Sequence, residues 1–233
     1  MCAAREGPGG GDVRDEPVFG GAARIGDGDA GGVADEPALA GAASAEGARR
    51  KRAQWLAEQW AGAEGKRGWW FFPLLLAVSG FAAVGCTLLK GGNGGGFLLA
   101  VAVLAPVVEE IAKIVLPAMA LERRPWDFGG GAELVGVCAL SGLVFAEVEN
   151  VLYLCIYIPD ELMTVGLVAW RVCVCTALHV GCAALSGWGL ARAWRAARDA
   201  RGVADLSRAA PFVASAMVLH GLYNFGAVVF SFV

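Results

Sequence analysis

Charge is scarce in this 233-residue chain. Asp, Glu, Lys and Arg make up 18% of it, against 57% hydrophobic residues. Soluble domains of this length rarely read so apolar, which argues against a water-soluble globular protein. Net charge is -3, with no basic stripe interleaved with aromatics, so no nucleic-acid partner is expected. Histidine is scarcer still, with only His179 and His220. No H-E-x-x-H occurs, so local spacing does not point to a zinc-protease helix. The seven cysteines match no zinc pattern, and six of them lie in apolar segments as small fillers. Residues 1–46 lack an apolar run, so no cleavable signal peptide is expected there.

What is present falls into three parts. Residues 1–46 are Gly/Ala-rich and acidic, with "DEPVFGGAA" at 15–23 loosely repeated as "DEPALAGAA" at 35–43. Such a segment buries too little apolar area to offset chain entropy and reads as a disordered tail. Residues 47–68 place Trp55, Leu56, Gln59 and Trp60 on one side of a basic helix. That pattern suits an amphipathic juxtamembrane helix lying on the bilayer, or a solvated connector. Residues 69–233 hold five apolar stretches, at roughly 69–89, 97–121, 134–158, 165–191 and 209–233. Each is long enough for a hydrocarbon core of ~30 Å. The expected fold class is therefore all-α, a polytopic membrane helical bundle of about five transmembrane helices behind a disordered N-terminal tail.

Connections set the expected orientation. Arg49, Arg50, Lys51, Arg52, Lys66 and Arg67 precede the first stretch, Arg123 and Arg124 follow the second, and Arg192, Arg195, Arg198, Arg201 and Arg208 follow the fourth. The remaining loops carry only "KGGNGGG" and "IPDE". The positive-inside rule then puts the N-terminus in the cytoplasm.

Against this apolar background stand residues that cost ~2.5–3.5 kcal/mol each at mid-bilayer. They are Glu109, Glu110 and Lys113; Glu147, Glu149 and Asn150; Arg171 and His179; and His220 and Asn224. At ~1.5 Å per residue, Glu109, Glu149, His179 and His220 fall at a similar depth on four separate helices. Glu109 and Lys113 are spaced i, i+4 for an ion pair, with Glu110 turned about 100° away. Phe145, Glu149 and Tyr153 form a stripe, and His220 and Asn224 share a face as a donor pair for an oxyanion. Taken singly, Asn150, Tyr153 or Ser186 is better read as packing glue between helices. Arg171 reads either as an interface anchor or as a partner for a buried carboxylate.

Four segments in order resemble the PrsW family of intramembrane proteases, related to the CAAX-protease and bacteriocin-processing superfamily. They are "EEIAK" at 109–113, "FAEVENVLYL" at 145–154, "WRVCVCTALHVGCAALSGWGLA" at 170–191 and "HGLYNF" at 220–225. The resemblance covers about residues 97–233. It implies an endopeptidase buried in the bilayer that clips a membrane-anchored protein, with Glu109, Glu110, Glu149, His179 and His220 as the active-site set. It further implies Glu109 or Glu110 as general base. On that basis His220 with Asn224 is expected to polarise the scissile carbonyl, and Glu149 with His179 to orient water or shuttle protons. Lys113, Phe145, Asn150 and Arg171 stand as supporting residues. Metal-free glutamate chemistry is the favoured expectation. A catalytic zinc on Glu110, Glu149, His179 and His220 is the alternative. The rival from another class is a non-catalytic proton path or scaffold that keeps the same cavity.

Overall fold

The computed structural model describes residues 37–63, 72–89 and 97–230, and among these every regular element is helical. Residues 1–36, with most of the expected tail, and the loop stretches holding Lys66, Arg67 and "KGGNGGG" lie outside the described residues. The first helix, α1 (Pro37–Gly62), begins well before the expected residue 47. The run "ALAGAASAEGARR" explains this, because alanine, glutamate and arginine favour helix over an open chain. Then follow α2 (Phe72–Leu89), α3 (Ala105–Arg123), α4 (Gly131–Leu152), α5 (Thr176–Asp199) and α6 (Ala210–Val229).

Three helical stretches among the described residues are long and apolar enough to cross a membrane: Gly131–Tyr157, Val165–Asp199 and Leu206–Val229. The protein is an all-α membrane bundle. The expected spans at 69–89 and 97–121 correspond to α2 and to α3 with its upstream turns, and α3 carries three charges in its middle.

α4 and α5 pair most closely, and small residues are the reason. Cys138, Gly142 and Ala146 recur every four positions on α4, as Ala183, Gly187 and Ala191 do on α5. A Cβ at Gly142 would come within 2.7 Å of both the Ala183 Cβ and the His179 carbonyl, and one at Gly187 within 2.9 Å of the Cys138 Cβ. Without a hydrophobic drive between helices in lipid, such close backbone approach is what holds a pair together.

Two prolines shape α3. Pro117 has no N–H for the Lys113 carbonyl four residues back, and the Ser141 hydroxyl of α4 donates to that carbonyl instead at 2.7 Å. Ser79 of α2 sits 2.5 Å from the Ser141 hydroxyl, so three helices meet at one polar point. Pro106 acts likewise at the other end. Residues Ala100–Leu104 form a π-helical turn in which Ala105 N–H bonds to the Ala100 carbonyl. The Val101 carbonyl is then left without an intrahelical donor, because Pro106 has none. Asn224 of α6 fills the gap, its Nδ2 donating to Val101 O at 3.0 Å. Further π turns occupy Tyr153–Tyr157 after α4 and Trp170–Cys175 before α5. Such turns gather at functional sites, where they re-aim the side chains beside them.

The tryptophan side of α1 packs on protein. Trp55 and Trp60 meet Trp126 edge-on, and Trp60 Nε1 donates to the Gly202 carbonyl at 3.2 Å. The expected membrane-surface helix is thus anchored to the loops after α3 and α5, since the indoles find rings and a carbonyl there.

Candidate active site

Six ionisable side chains from four helices meet inside the bundle. Glu109, Glu110 and Lys113 come from α3, Glu149 from α4, His179 from α5 and His220 from α6, and none is more than 4% exposed. Burial of this much charge is stable only where the groups satisfy one another.

α3 supplies its residues on one face, and the pairing differs from the i, i+4 expectation. Lys113 Nζ lies 2.6 Å from Glu110 Oε1, an i, i+3 pair, rather than on Glu109. The same ammonium reaches across to His179 Nδ1 at 2.7 Å. An ammonium only donates, so His179 Nδ1 accepts and its proton rests on Nε2. That nitrogen faces Glu149 Oε2 at 2.9 Å. Behind Glu149, Arg171 Nη2 approaches to 3.7 Å while its guanidinium lies 3.8 Å over the Tyr153 ring. Of the two readings open for Arg171, partner to a buried carboxylate is the one the geometry supports.

His220 is held the same way. Its Nδ1 donates to Glu110 Oε1 at 2.8 Å, leaving the Nε2 lone pair 3.6 Å from Glu109 Oε2. The two imidazoles stand edge to face with centroids 4.8 Å apart. Each histidine therefore has one nitrogen fixed by a carboxylate, the arrangement by which proteins orient metal-ligating imidazoles.

Phe145 is fully buried beneath this layer, 4.8 Å from Lys113 Nζ and 5.5 Å from the His179 ring. Asn150 stays outside the cluster. Its amide donates to Thr176 Oγ1 at 3.0 Å, bridging α4 to α5 as packing glue. Glu147 is exposed and accepts from that same hydroxyl at 3.4 Å.

A small cavity of about 50 Å³ opens on the cluster, lined among others by Glu149, Arg171, His179, His220, Tyr223 and Asn224. Neither Glu109 nor Glu110 lines it. The acid facing the cavity is Glu149. Asn224 reaches the cavity with one amide N–H already used on Val101, so it brings a single remaining donor. Sequence reasoning missed Tyr223, whose hydroxyl accepts from Trp170 Nε1 at 2.8 Å and lies 2.9 Å from Cys175 Sγ. Its place between His220 and Asn224 on "HGLYNF" was the available signal. Ser79 and Ser141 were missed as well, because a lone serine in an apolar stretch carries no pattern.

The family described as PrsW family intramembrane metalloprotease matches residues 65–233. The chain belongs to the PrsW family. As a PrsW-family member it is an intramembrane protease embedded in lipid and acting on membrane-embedded protein. No curated protein and no solved structure matches the chain.

The family description raises the question of a metal, and the residues answer it. Glu109, His179 and His220 each bring a ligand atom within 4.8 Å of the others, all buried. The Glu109–His220 separation of 3.6 Å is close to the edge of about 3.4 Å expected between ligands of a tetrahedral zinc site. A carboxylate oxygen facing an imidazole lone pair is also an arrangement that a cation, rather than a direct hydrogen bond, resolves. Glu109 and the Nε2 lone pair of His220 fit a divalent cation as they stand, and His179 would join them only with Lys113 Nζ moved off its Nδ1. This donor set differs from the sequence-based set, because Glu110 is tied to Lys113 and His220, and Glu149 to His179 and Arg171.

Proposed function

We propose that the chain hydrolyses a peptide bond of a membrane-anchored protein at the buried cluster, with Glu109, His179 and His220 holding a zinc-class cation. The single observation that carries this reading is the convergence of those three donors with a carboxylate behind each imidazole. Zinc bound there would supply an activated water and polarise the scissile carbonyl.

The chain's own residues divide the remaining work. Glu149, the acid on the cavity, accepts the proton of the attacking water and passes it to the departing amine. Arg171, 3.7 Å away, keeps that carboxylate aimed. Asn224 offers its second amide N–H to the carbonyl oxygen as charge develops. Glu110 fixes the His220 ring, and Lys113 balances the carboxylates from inside the protein. The Nδ1 lone pair of His179 serves either Lys113 Nζ or a cation, so His179 would hold the cation only with that ammonium displaced. The metal-free alternative, with Glu109 activating water directly, draws support from that same ammonium, whose positive charge already lies 2.7 Å from His179 Nδ1.

The basic residues before α2, at the end of α3, and in the last turns of α5 and beyond support an N-terminus in the cytoplasm. "EEIAK" and two isolated histidines on separate helices support wider kinship with the CAAX-protease and bacteriocin-processing superfamily. We also infer a three-part organisation, with tail, juxtamembrane helix and protease bundle.

The test uses the full chain reconstituted with a single-span substrate protein. Stoichiometric zinc, lost to chelator together with cleavage, is the expected result, and cleavage by metal-free protein would leave the glutamate version standing. Cleavage persisting in Glu109→Gln, Glu110→Gln and Glu149→Gln alike would remove the site. Proton flux without any cleavage would favour a non-catalytic role.

A further inference from the structure

A second site lies at the opposite end of the α4–α5 pair, on the side of the arginine-rich loops. A groove of about 280 Å³ is lined by Gly131, Ala132, Val135, Trp188, Ala191 and Arg195. Its floor is small and apolar because the two helices approach closely there; a Cβ on Gly131 would come within 3.1 Å of the Ala191 Cβ. Trp188, half exposed, forms one wall, and the Arg195 guanidinium lies 5.5 Å from its ring.

We propose that this groove binds an anionic glycerophospholipid, with an acyl chain against the small-residue floor and the phosphate on Arg195. Depth supports the assignment. Trp188 and Arg195 are nine and sixteen residues along α5 from His179, about 14 and 24 Å at the helical rise. With the buried cluster near the midplane of a core about 30 Å thick, Trp188 reaches the hydrocarbon edge and Arg195 the headgroup layer.

Charge complementarity names the occupant. Arg195 Nε donates to the Ala191 carbonyl at 3.2 Å, which leaves its two Nη groups to donate elsewhere. Arg192 and Arg198 flank it on α5, each exposed and held over an aromatic ring, Phe212 and Trp194. Glu133, the nearest acid on α4, is turned to the Gly129 N–H at 2.7 Å. A forked cation above an apolar slot matches a phosphate joined to an acyl chain, and rows of arginine at a span end recruit anionic lipid. The site stands independently of the protease assignment.

Native mass spectrometry of the full chain released from detergent tests it, with phosphatidylglycerol and phosphatidylcholine of equal chain length offered together. Selective retention of phosphatidylglycerol is expected. Arg195→Gln should weaken it about fivefold, and Ala132→Phe, which fills the slot without changing charge, should weaken it comparably. Arg208→Gln, exposed and away from the groove, should retain lipid as the parent does. Equal retention of both lipids, or equal loss in Arg195→Gln and Arg208→Gln, would overturn the proposal. So would displacement of the lipid by inorganic phosphate at matched concentration, which would reduce the site to a bare anion contact. Melting curves of both groove variants establish that each is folded before its retention is read.

Discussion

The Ser141 hydroxyl of α4 donates to the Lys113 carbonyl of α3, the carbonyl that Pro117 leaves without its helical partner. That carbonyl belongs to the same residue as the ammonium that balances the buried carboxylates, so the bond positions both α3 and the charge it carries. Ser141→Ala should leave that carbonyl buried without its donor, at a cost of roughly 1–3 kcal/mol. A lower melting temperature in detergent, with cleavage reduced beyond what lost stability explains, is the expected outcome. Ser141→Thr, which keeps a hydroxyl, should recover part of the stability.

Lys113→Met removes the positive charge while keeping most of the side-chain volume. Glu110 would then lack the ammonium 2.6 Å away, and breaking a buried pair costs about 3–5 kcal/mol. Thermal unfolding should fall sharply in metal-free protein and by less with zinc present, because a bound cation replaces part of the missing charge. Identical losses with and without zinc would argue that no cation enters the cluster.

Glu149→Gln retains a group able to hydrogen-bond the His179 ring but loses the charge facing Arg171. Cleavage should fall by at least about 100-fold if Glu149 handles the proton, while zinc content stays near the parent's. Glu109→Gln should lose zinc and activity together. Metal analysis beside substrate cleavage separates the two roles.

Glycine positions give a control on helix pairing. Gly142→Ala places a methyl 2.7 Å from the Ala183 Cβ and the His179 carbonyl, overpacking worth about 1–3 kcal/mol. Gly136 on the same helix has open space around it, so Gly136→Ala should be neutral or stabilising by up to about 1 kcal/mol. Denaturant titration should lower the midpoint for Gly142→Ala and leave it unchanged or raise it for Gly136→Ala.

Trp60→Phe keeps the edge contact with Trp126 and deletes the indole bond to Gly202. A loss of about 1 kcal/mol in α1 docking is expected. Limited proteolysis should cut α1 faster while the transmembrane helices remain intact.

Much of the protein's logic is legible in its linear order. Apolar runs separated by arginine clusters define a membrane bundle, because lipid admits few charges and loops retain them. Costly residues then stand out against that background, and Glu109, Glu110, Lys113, Glu149, His179 and His220 are among them. Partner choice was not legible. Helical spacing allows Lys113 either Glu109 or Glu110, and only the approach of His179 and His220 from other helices selects Glu110. Nor could sequence rank the acids, since which one meets the cavity depends on how α4 and α6 are rotated against each other. Asn224 shows the same limit, as its amide answers a carbonyl freed by Pro106 on a helix more than a hundred residues away. Composition and periodicity determined the class, the helices and the reactive inventory, because these follow from the energy of placing each side chain in lipid. Pairing, ligand set and cavity were decided only by tertiary packing, because each depends on distances between groups the chain holds far apart.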